Sequence, residues 1–387
     1  MQKIFRMPPT VITGAGSAAQ AGTEVKKMGA KKTLIITDKV IVAIGALKSI
    51  EDSLKENGIN YSVFDDIPSE PTVEDVDKGI KAYRESKCDC LLAVGGGSAI
   101  DTAKAVSVML TNEGEISEYM GLDKIKKIGV PLIAVPTTAG TGSEVTIFTI
   151  ITDARNDVKM LIGGGLLMPQ VAIADPLLTL SMPPALTAAT GMDAMCHAIE
   201  AYVSLKANPL SDMFALSAIE LLSDFLRPAW ANGNNLEARE NVMIASMKAG
   251  VAFTNSSVTL VHGMSRPIGA NFHIPHGLSN AVLLTTVMEF SLIAKPERYA
   301  RIAEAMGVNT FGLNDLEAAK LSVAAINDLV QDIKIPSLNE LGIEEAKLIE
   351  KAPKMAEAAI NSGSPGNNPR QVTKEDIVEL YKTAYYR

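Results

Sequence analysis

Up to about residue 180 the chain alternates short β-branched runs with amphipathic stretches, and beyond that point the strand signal nearly vanishes. Candidate strands lie at 33–37, 61–65, 90–94, 132–136 and 171–175, with helical spacing over 41–56 and 73–86 between them. Strand side chains repeat every two residues and helix side chains every three to four, so this alternation reads as βαβ units around a mostly parallel sheet. A β-branched run at 145–152, followed by the polar stretch 153–157, predicts a hairpin. From Pro183 onward helical spacing recurs at 185–202, 212–226, 237–253, 281–288, 297–306, 317–333 and 344–360. Thr373 and Asp376 have the spacing of a capping box that opens a last helix. The expected fold is an α/β N-terminal nucleotide-binding domain over 1–180 and an all-α C-terminal domain over 181–387.

With 387 residues the chain can bury two sizeable cores. A net charge of -8 without any basic run argues against nucleic acid or a membrane surface as partner. Three cysteines, Cys88, Cys90 and Cys196, do not make a disulfide framework and suit a reducing compartment. The first residues lack a secretory hydrophobic region and no apolar stretch is read as membrane-spanning, so the expected location is the cytoplasm.

All four histidines fall between 197 and 276. Asp193 and His197 are one helical turn apart, which puts both side chains on one helix face, as two ligands of one ion require. His262 and His276 each precede a glycine. Taken singly, each histidine reads as an ordinary core or surface residue, and Asp193 as a helix-start residue. Together, three neutral imidazoles and a carboxylate suit zinc or ferrous iron and suit magnesium poorly. Cys196 reads as a packing residue pointing away from the His197 face.

Two glycine-rich stretches compete as a phosphate loop. The segment 14–19 (GAGSAA) lacks a convincing preceding strand, because Pro8 and Pro9 leave only 10–13, and it reads as a turn into a helix. Gly95, Gly96, Gly97 and Ser98 follow the run 90–94 and open a helix, with Ser98 and Asp101 spaced as a capping box. Glycines let a backbone approach a pyrophosphate while helix N–H groups bind its charge; a plain strand-to-helix turn looks the same. Asp38, just past the strand at 33–37, is placed to accept from an adenosine ribose and to repel a 2′-phosphate, favouring NAD. It precedes the glycine run, so the usual order of the dinucleotide fingerprint is broken. The stretch 136–144 (PTTAGTGSE) adds hydroxyls and glycines at another strand end.

The segments 95–104 (GGGSAIDTAK), 136–146 (PTTAGTGSEVT), 174–200 and 261–280 resemble the iron-containing alcohol dehydrogenase family, with its dehydroquinate-synthase-like fold. That resemblance implies an NAD-binding α/β domain, a helical domain and an active site in the cleft between them. Carried over, the metal ligands fall on Asp193, His197, His262 and His276. Cofactor contacts fall on Asp38, Gly95–Ser98, Asp101, Thr137, Thr138 and Lys159, and Phe253 matches an aromatic near the nicotinamide and substrate. Two positions depart from the pattern. Arg266 stands where relatives carry a histidine that helps relay the proton, and Phe148 stands where similar enzymes carry an asparagine. Arginine cannot act as a base here, which leaves His273 as the substitute.

The implied activity is hydride transfer between NAD and a small primary alcohol, diol or aldehyde. The catalytic set is His262, His273 and Arg266, the pocket is lined by Phe148, Phe253 and Met264, and one divalent metal, iron ahead of zinc, is held. Alternatives on the same fold are a zinc glycerol-dehydrogenase-like enzyme, a dehydroquinate-synthase-like lyase and a non-catalytic scaffold. The resemblance further implies a homodimer or a larger homo-oligomer.

Overall fold

The computed structural model describes residues 4–156 and 158–386; of the polar turn expected at 153–157, Asp157 lies outside the described residues. The chain forms two compact units, one running from Arg6 to Ser181 and the other from Met182 to Tyr386 with Ile4 and Phe5. Phe5 joins the second through a stacked contact with Phe214, centroids 5.8 Å apart.

In the first unit the strands are β1 (Thr10–Thr13), β2 (Lys32–Ile36), β3 (Asn60–Phe64), β4 (Cys90–Gly95), β5 (Gly121–Leu122), β6 (Leu132–Pro136), β7 (Phe148–Asp153), β8 (Val158–Gly163) and β9 (Val171–Ala174). Its helices are α1 (Ala21–Lys27), α2 (Lys39–Ala43), α3 (Lys48–Glu56), α4 (Val73–Glu85) and α5 (Gly97–Met109). Six strands form one parallel sheet in the order β1-β9-β6-β4-β2-β3. Every residue of central β4 is buried, because helices cover both faces. Leu34, Ile36, Leu91 and Ala93 enter one core, whereas Ile35, Cys90, Leu92 and Val94 enter the other, the period-2 alternation of a strand. The chain runs outward from β2 to β3, then returns to β4 and builds the other way. Ligands of open α/β sheets bind outside the carboxyl ends of strands at such a reversal, here β2 and β4.

The hairpin forms from antiparallel β7 and β8, with β5 alongside. Three local expectations need correction. Residues 10–13 do form a strand, paired in parallel with β9. The helix expected over 41–56 is two helices, α2 and α3, because Gly45 turns the chain at φ 72. Ser98 and Asp101 do not form a capping box; α5 has Gly96 as its N-cap, and no side chain caps it.

The second unit is helical: α6 (Pro184–Val203), α7 (Pro209–Ala231), α8 (Leu236–Ser256), α9 (Leu260–Phe272), α10 (His276–Ser291), α11 (Pro296–Ala305), α12 (Asp315–Asp332), α13 (Glu345–Asn361) and α14 (Lys374–Tyr385). Thr373 and Asp376 make the capping box at the start of α14. Helix α9 is absent from the sequence reading, since Gly263, Pro267 and Gly269 interrupt its pattern. A further correction concerns length: His276–Ala294 is long and apolar enough to cross a membrane, yet 67% of that window is buried inside the protein.

Candidate metal centre and cofactor loop

Three helices of the second unit bring the ligand candidates together. Asp193, His197 and Glu200 lie on α6 at i, i+4 and i+7, all buried. His262 sits in the first turn of α9, and His276 opens α10 with Asn280 one turn later. The glycines beside the histidines allow close approach, of α10 to α6 at Gly277 and of α9 to Pro365 at Gly263. A Cβ on Gly277 would lie 2.5 Å from the Ala189 carbonyl oxygen, and one on Gly263 would lie 2.7 Å from Pro365 Cγ.

Asp193, His262 and His276 offer ligand atoms that all lie within 4.8 Å of one another. Both Nε2 atoms stand 3.8 Å from Asp193 Oδ1. The Asn280 amide shows where they converge: its Nδ2 donates to Asp193 Oδ1 at 2.7 Å and lies 3.0 Å from His262 Nε2 and 3.3 Å from His276 Nε2. Three acceptors focused on one electropositive group is the arrangement a cation needs. His197 is not in that group; its ring stacks on Phe253 at 4.2 Å and on His262 at 4.5 Å. Its Nδ1 and the Asn280 Oδ1 are buried without a hydrogen-bond partner among the described residues. Buried polar atoms normally have partners, so these orphans fit a polar or charged guest. The donor set, one carboxylate with imidazoles, fits iron or zinc.

Behind His262 stands Glu200. Its Oε1 accepts from Thr259 Nα (3.0 Å), Thr259 Oγ1 (2.7 Å), Val261 Nα (2.8 Å) and His262 Nα (3.3 Å). Its Oε2 contacts His262 Nδ1. Burial pushes the Glu200 pKa up, against the pull of the Thr259 hydroxyl and the backbone donors. Burial drives His262 well below its ordinary value, aided by His197 and His276, which keeps the ring neutral as a ligand must be. For Asp193, burial works upward, but the three histidines and Asn280 outweigh it and the pKa is lowered.

The remaining residues of the second unit divide. Phe253, on α8, reaches the centre through its stack on His197. Arg266 lies one turn after His262 on α9 and donates to Ser364 Oγ at 3.2 Å. Met264 is fully buried, leaves the helix on another face, and its carbonyl accepts from Tyr381 Oη. His273 is exposed at the C-cap of α9 with φ 55, outside the group of Asp193, His262 and His276.

In the first unit, Asp38 caps α2, its Oδ1 accepting from Val40 Nα (2.8 Å) and Ile41 Nα (3.0 Å). A Cβ on Gly95 would sit 2.8 Å from Ala99 Cβ and 3.7 Å from Asp38 Oδ2; one on Gly97 would meet Thr141 Cγ2 at 2.9 Å. The glycines thus let the turn pack against Ala99 and Thr141 beside the Asp38 carboxylate, at the uncapped start of α5. Thr137 Nα ties to the Gly95 carbonyl at 3.0 Å, and Thr138 flanks Gly96. Ser98 Oγ donates to the Ser69 carbonyl. Asp101 braces the neighbouring loop, accepting from Ser143 Oγ (2.5 Å) and Ile150 Nα (2.8 Å). Lys104, wholly buried, donates to Ser143 Oγ, Thr146 Oγ1 and the Phe148 carbonyl. Lys159 pairs with Glu70 at 2.5 Å. The competing glycine turn at 14–19 is already occupied by protein: Asp175 accepts from Gly16 Nα (3.0 Å) and Ala18 Nα (2.9 Å).

Sequence reasoning missed Glu200 and Asn280. Both carried a signal, being two turns after Asp193 and one turn after His276 on the same faces.

Comparisons with known proteins agree with this geometry. The model of the iron-containing alcohol dehydrogenase family matches residues 8–176, and that of the Fe-containing alcohol dehydrogenase family, C-terminal, matches 187–385. The 1,3-propanediol dehydrogenase of Citrobacter freundii is 42% identical over 384 residues, 98% of each chain. The NAD-dependent methanol dehydrogenase of Bacillus methanolicus is 39% identical, over 98% of this chain and 99% of its own. A crystal structure of 1,3-propanediol oxidoreductase superposes with TM-score 0.96 at 40% identity, covering 99% of this chain and 100% of that one. The chain belongs to the iron-containing alcohol dehydrogenase family, oxidoreductases that act on CH–OH groups.

Proposed function

We propose that this enzyme interconverts a small primary alcohol or diol and its aldehyde, with NAD as hydride partner and one divalent metal, iron or zinc, held by Asp193, His197, His262 and His276. The observation that carries this reading is the convergence of Asp193 Oδ1, His262 Nε2 and His276 Nε2 on the Asn280 amide nitrogen. The names of the relatives, a propanediol dehydrogenase and an NAD-dependent methanol dehydrogenase, support the substrate class and the cofactor. When bound, the metal supplies Lewis acidity toward the alcohol or carbonyl oxygen.

The chain's own groups do the rest. Gly95, Gly96, Gly97 and Ser98 form a pyrophosphate cradle at the start of α5, with Thr137, Thr138 and Lys159 as further contacts. Asp38 accepts from the ribose hydroxyls, and its charge disfavours a 2′-phosphate. Asp101 acts through Ser143 as a brace on the adjoining loop. Phe253 holds the His197 ring by stacking and walls the substrate side. Arg266 keeps its proton, so its guanidinium can hold a substrate oxygen but cannot relay a proton. His273, exposed at the C-cap of α9, is the relay candidate. Three buried free cysteines accord with a reducing, cytoplasmic setting.

The test is a panel of methanol, 1-propanol and 1,3-propanediol with NAD, alongside metal analysis. NADH formation with about one metal per chain is expected, and His262→Ala should remove both metal and turnover while NAD still binds. Undiminished turnover in His262→Ala would sink the assignment.

A further inference from the structure

We propose that Glu200 is a positioning residue that decides which nitrogen of His262 carries the proton, leaving Nε2 as the ring atom available to a metal. The inference rests on the metal reading above, and deepens it by adding a group that touches neither substrate nor cofactor.

The two oxygens of Glu200 do different work. Oε1 receives four donors, the Thr259, Val261 and His262 amides and the Thr259 hydroxyl. Thr259, the N-cap of α9, makes no side-chain cap of its own, so a carboxylate from α6 satisfies the first turn of α9 instead. Because every one of these partners donates, whatever group stands at position 200 must present an acceptor on that side. Oε2 faces His262 Nδ1. Four donors converging on Oε1 favour the carboxylate form, which only accepts, so Nδ1 carries the hydrogen. A neutral imidazole with Nδ1–H has its lone pair on Nε2, and that atom lies 3.8 Å from Asp193 Oδ1 within the ligand group. One buried side chain therefore docks the start of α9 and sets the tautomer of the ligand that α9 carries.

These two roles separate in Glu200→Gln. The carboxamide oxygen can keep the four donors, so the cap survives. Its NH2 then faces Nδ1 and donates to it, which moves the ring hydrogen to Nε2, the position a metal needs. Turning the amide over would set NH2 against four donors, a much costlier arrangement. A purely structural Glu200 would let the near-isosteric Gln behave as wild type, whereas a tautomer-setting Glu200 would not.

The experiment compares wild type and Glu200→Gln as metal-free full chains. Zinc affinity is read by competition with a chromophoric chelator, and thermal stability without metal is followed in parallel. The histidine tautomers are read by 15N NMR, which the chain's four histidines make tractable. The expected result is zinc binding weakened about 10- to 100-fold in Glu200→Gln, with a metal-free melting midpoint close to wild type. The His262 signal should change from the Nδ1–H to the Nε2–H form. Equal zinc affinity in the variant, or an unchanged tautomer, overturns the inference. Should the variant fail to fold, the wild-type spectrum decides: Nδ1–H supports the proposal and Nε2–H refutes it. Wild type that binds no zinc or iron would defeat the metal reading, with the tautomer still deciding the role of Glu200.

Discussion

Glu144 and Lys104 are opposite charges held in dry surroundings next to the loop that adjoins the glycine cradle. Burial raises Glu144 to about 7, with Lys104 opposing, and burial lowers Lys104 to about 8, with Asp101 and Glu144 opposing. In the unfolded chain these groups titrate near their ordinary values of 4.5 and 10.5. Between pH 4.5 and about 7 the folded chain holds a proton on Glu144 that the unfolded chain has released. The stability this group contributes is therefore full below pH 4.5 and is lost as pH rises through about 7. The limiting slope is about 1.4 kcal/mol per pH unit. From about 8 to 10.5 the sign reverses, because the folded chain releases the Lys104 proton first and gains stability as pH rises. Glu144→Gln should abolish the acid-side slope. Melting midpoints of wild type and variant, measured from about pH 5 to about pH 7.5, should converge at low pH and diverge toward neutrality relative to one another. Parallel curves would show that Glu144 keeps an ordinary pKa in the fold.

Helix contacts set the proposed metal centre one scale up. Gly277 faces the Ala189 carbonyl so closely that any Cβ would arrive at 2.5 Å, and backbone cannot swing aside as a side chain can. Gly277→Ala should push α10 off α6, costing about 1–3 kcal/mol of stability and carrying His276 away from Asp193. Lower thermal stability together with weaker zinc binding is the expected pair of results; an unchanged zinc affinity would mean that α10 relaxes without moving His276. The same contact explains what could be read in advance. The parallel sheet was legible because β2, β4, β6 and β9 are largely buried, mostly aliphatic runs bounded by breakers. That Asp193 and His197 share a face of α6 was legible because a helix repeats every turn. Helix α9 was not, since Gly263 answers to Pro365 across about a hundred residues, a tertiary demand that erases the local pattern. Nor could spacing show that Glu200 would meet His262, or that Asn280 would reach Asp193, His262 and His276 together. Ser98 and Asp101 had the capping-box spacing, but Ser143 and the Ile150 amide compete better for the Asp101 carboxylate. Met264, expected in the pocket, is fully buried and leaves α9 two residues after His262, on another face.

At the scale of the whole molecule, the two compact units carry different halves of the proposed chemistry, the cradle for NAD in one and the ligands for a metal in the other. Anything that binds the folded form and not the unfolded one stabilises by mass action, about 2.7 kcal/mol at a hundredfold excess over Kd. Local opening, however, is damped most in the elements that a ligand ties together. Zinc should therefore slow amide hydrogen exchange most in peptides covering α6, the start of α9 and the start of α10, where its proposed ligands lie. NAD should slow exchange most across the end of β4, the start of α5 and the first turn of α2, where Gly95–Ser98 and Asp38 lie. Exchange measured by mass spectrometry on the chelated protein, with each ligand added separately, reads both effects in one experiment. Zinc protection confined to peptides of the α/β unit would place the metal elsewhere than Asp193, His262 and His276. Protection by NAD at the 14–19 turn in place of the β4–α5 junction would mean that Asp175 yields its amides to a phosphate after all, and that the cradle had been assigned to the wrong glycines.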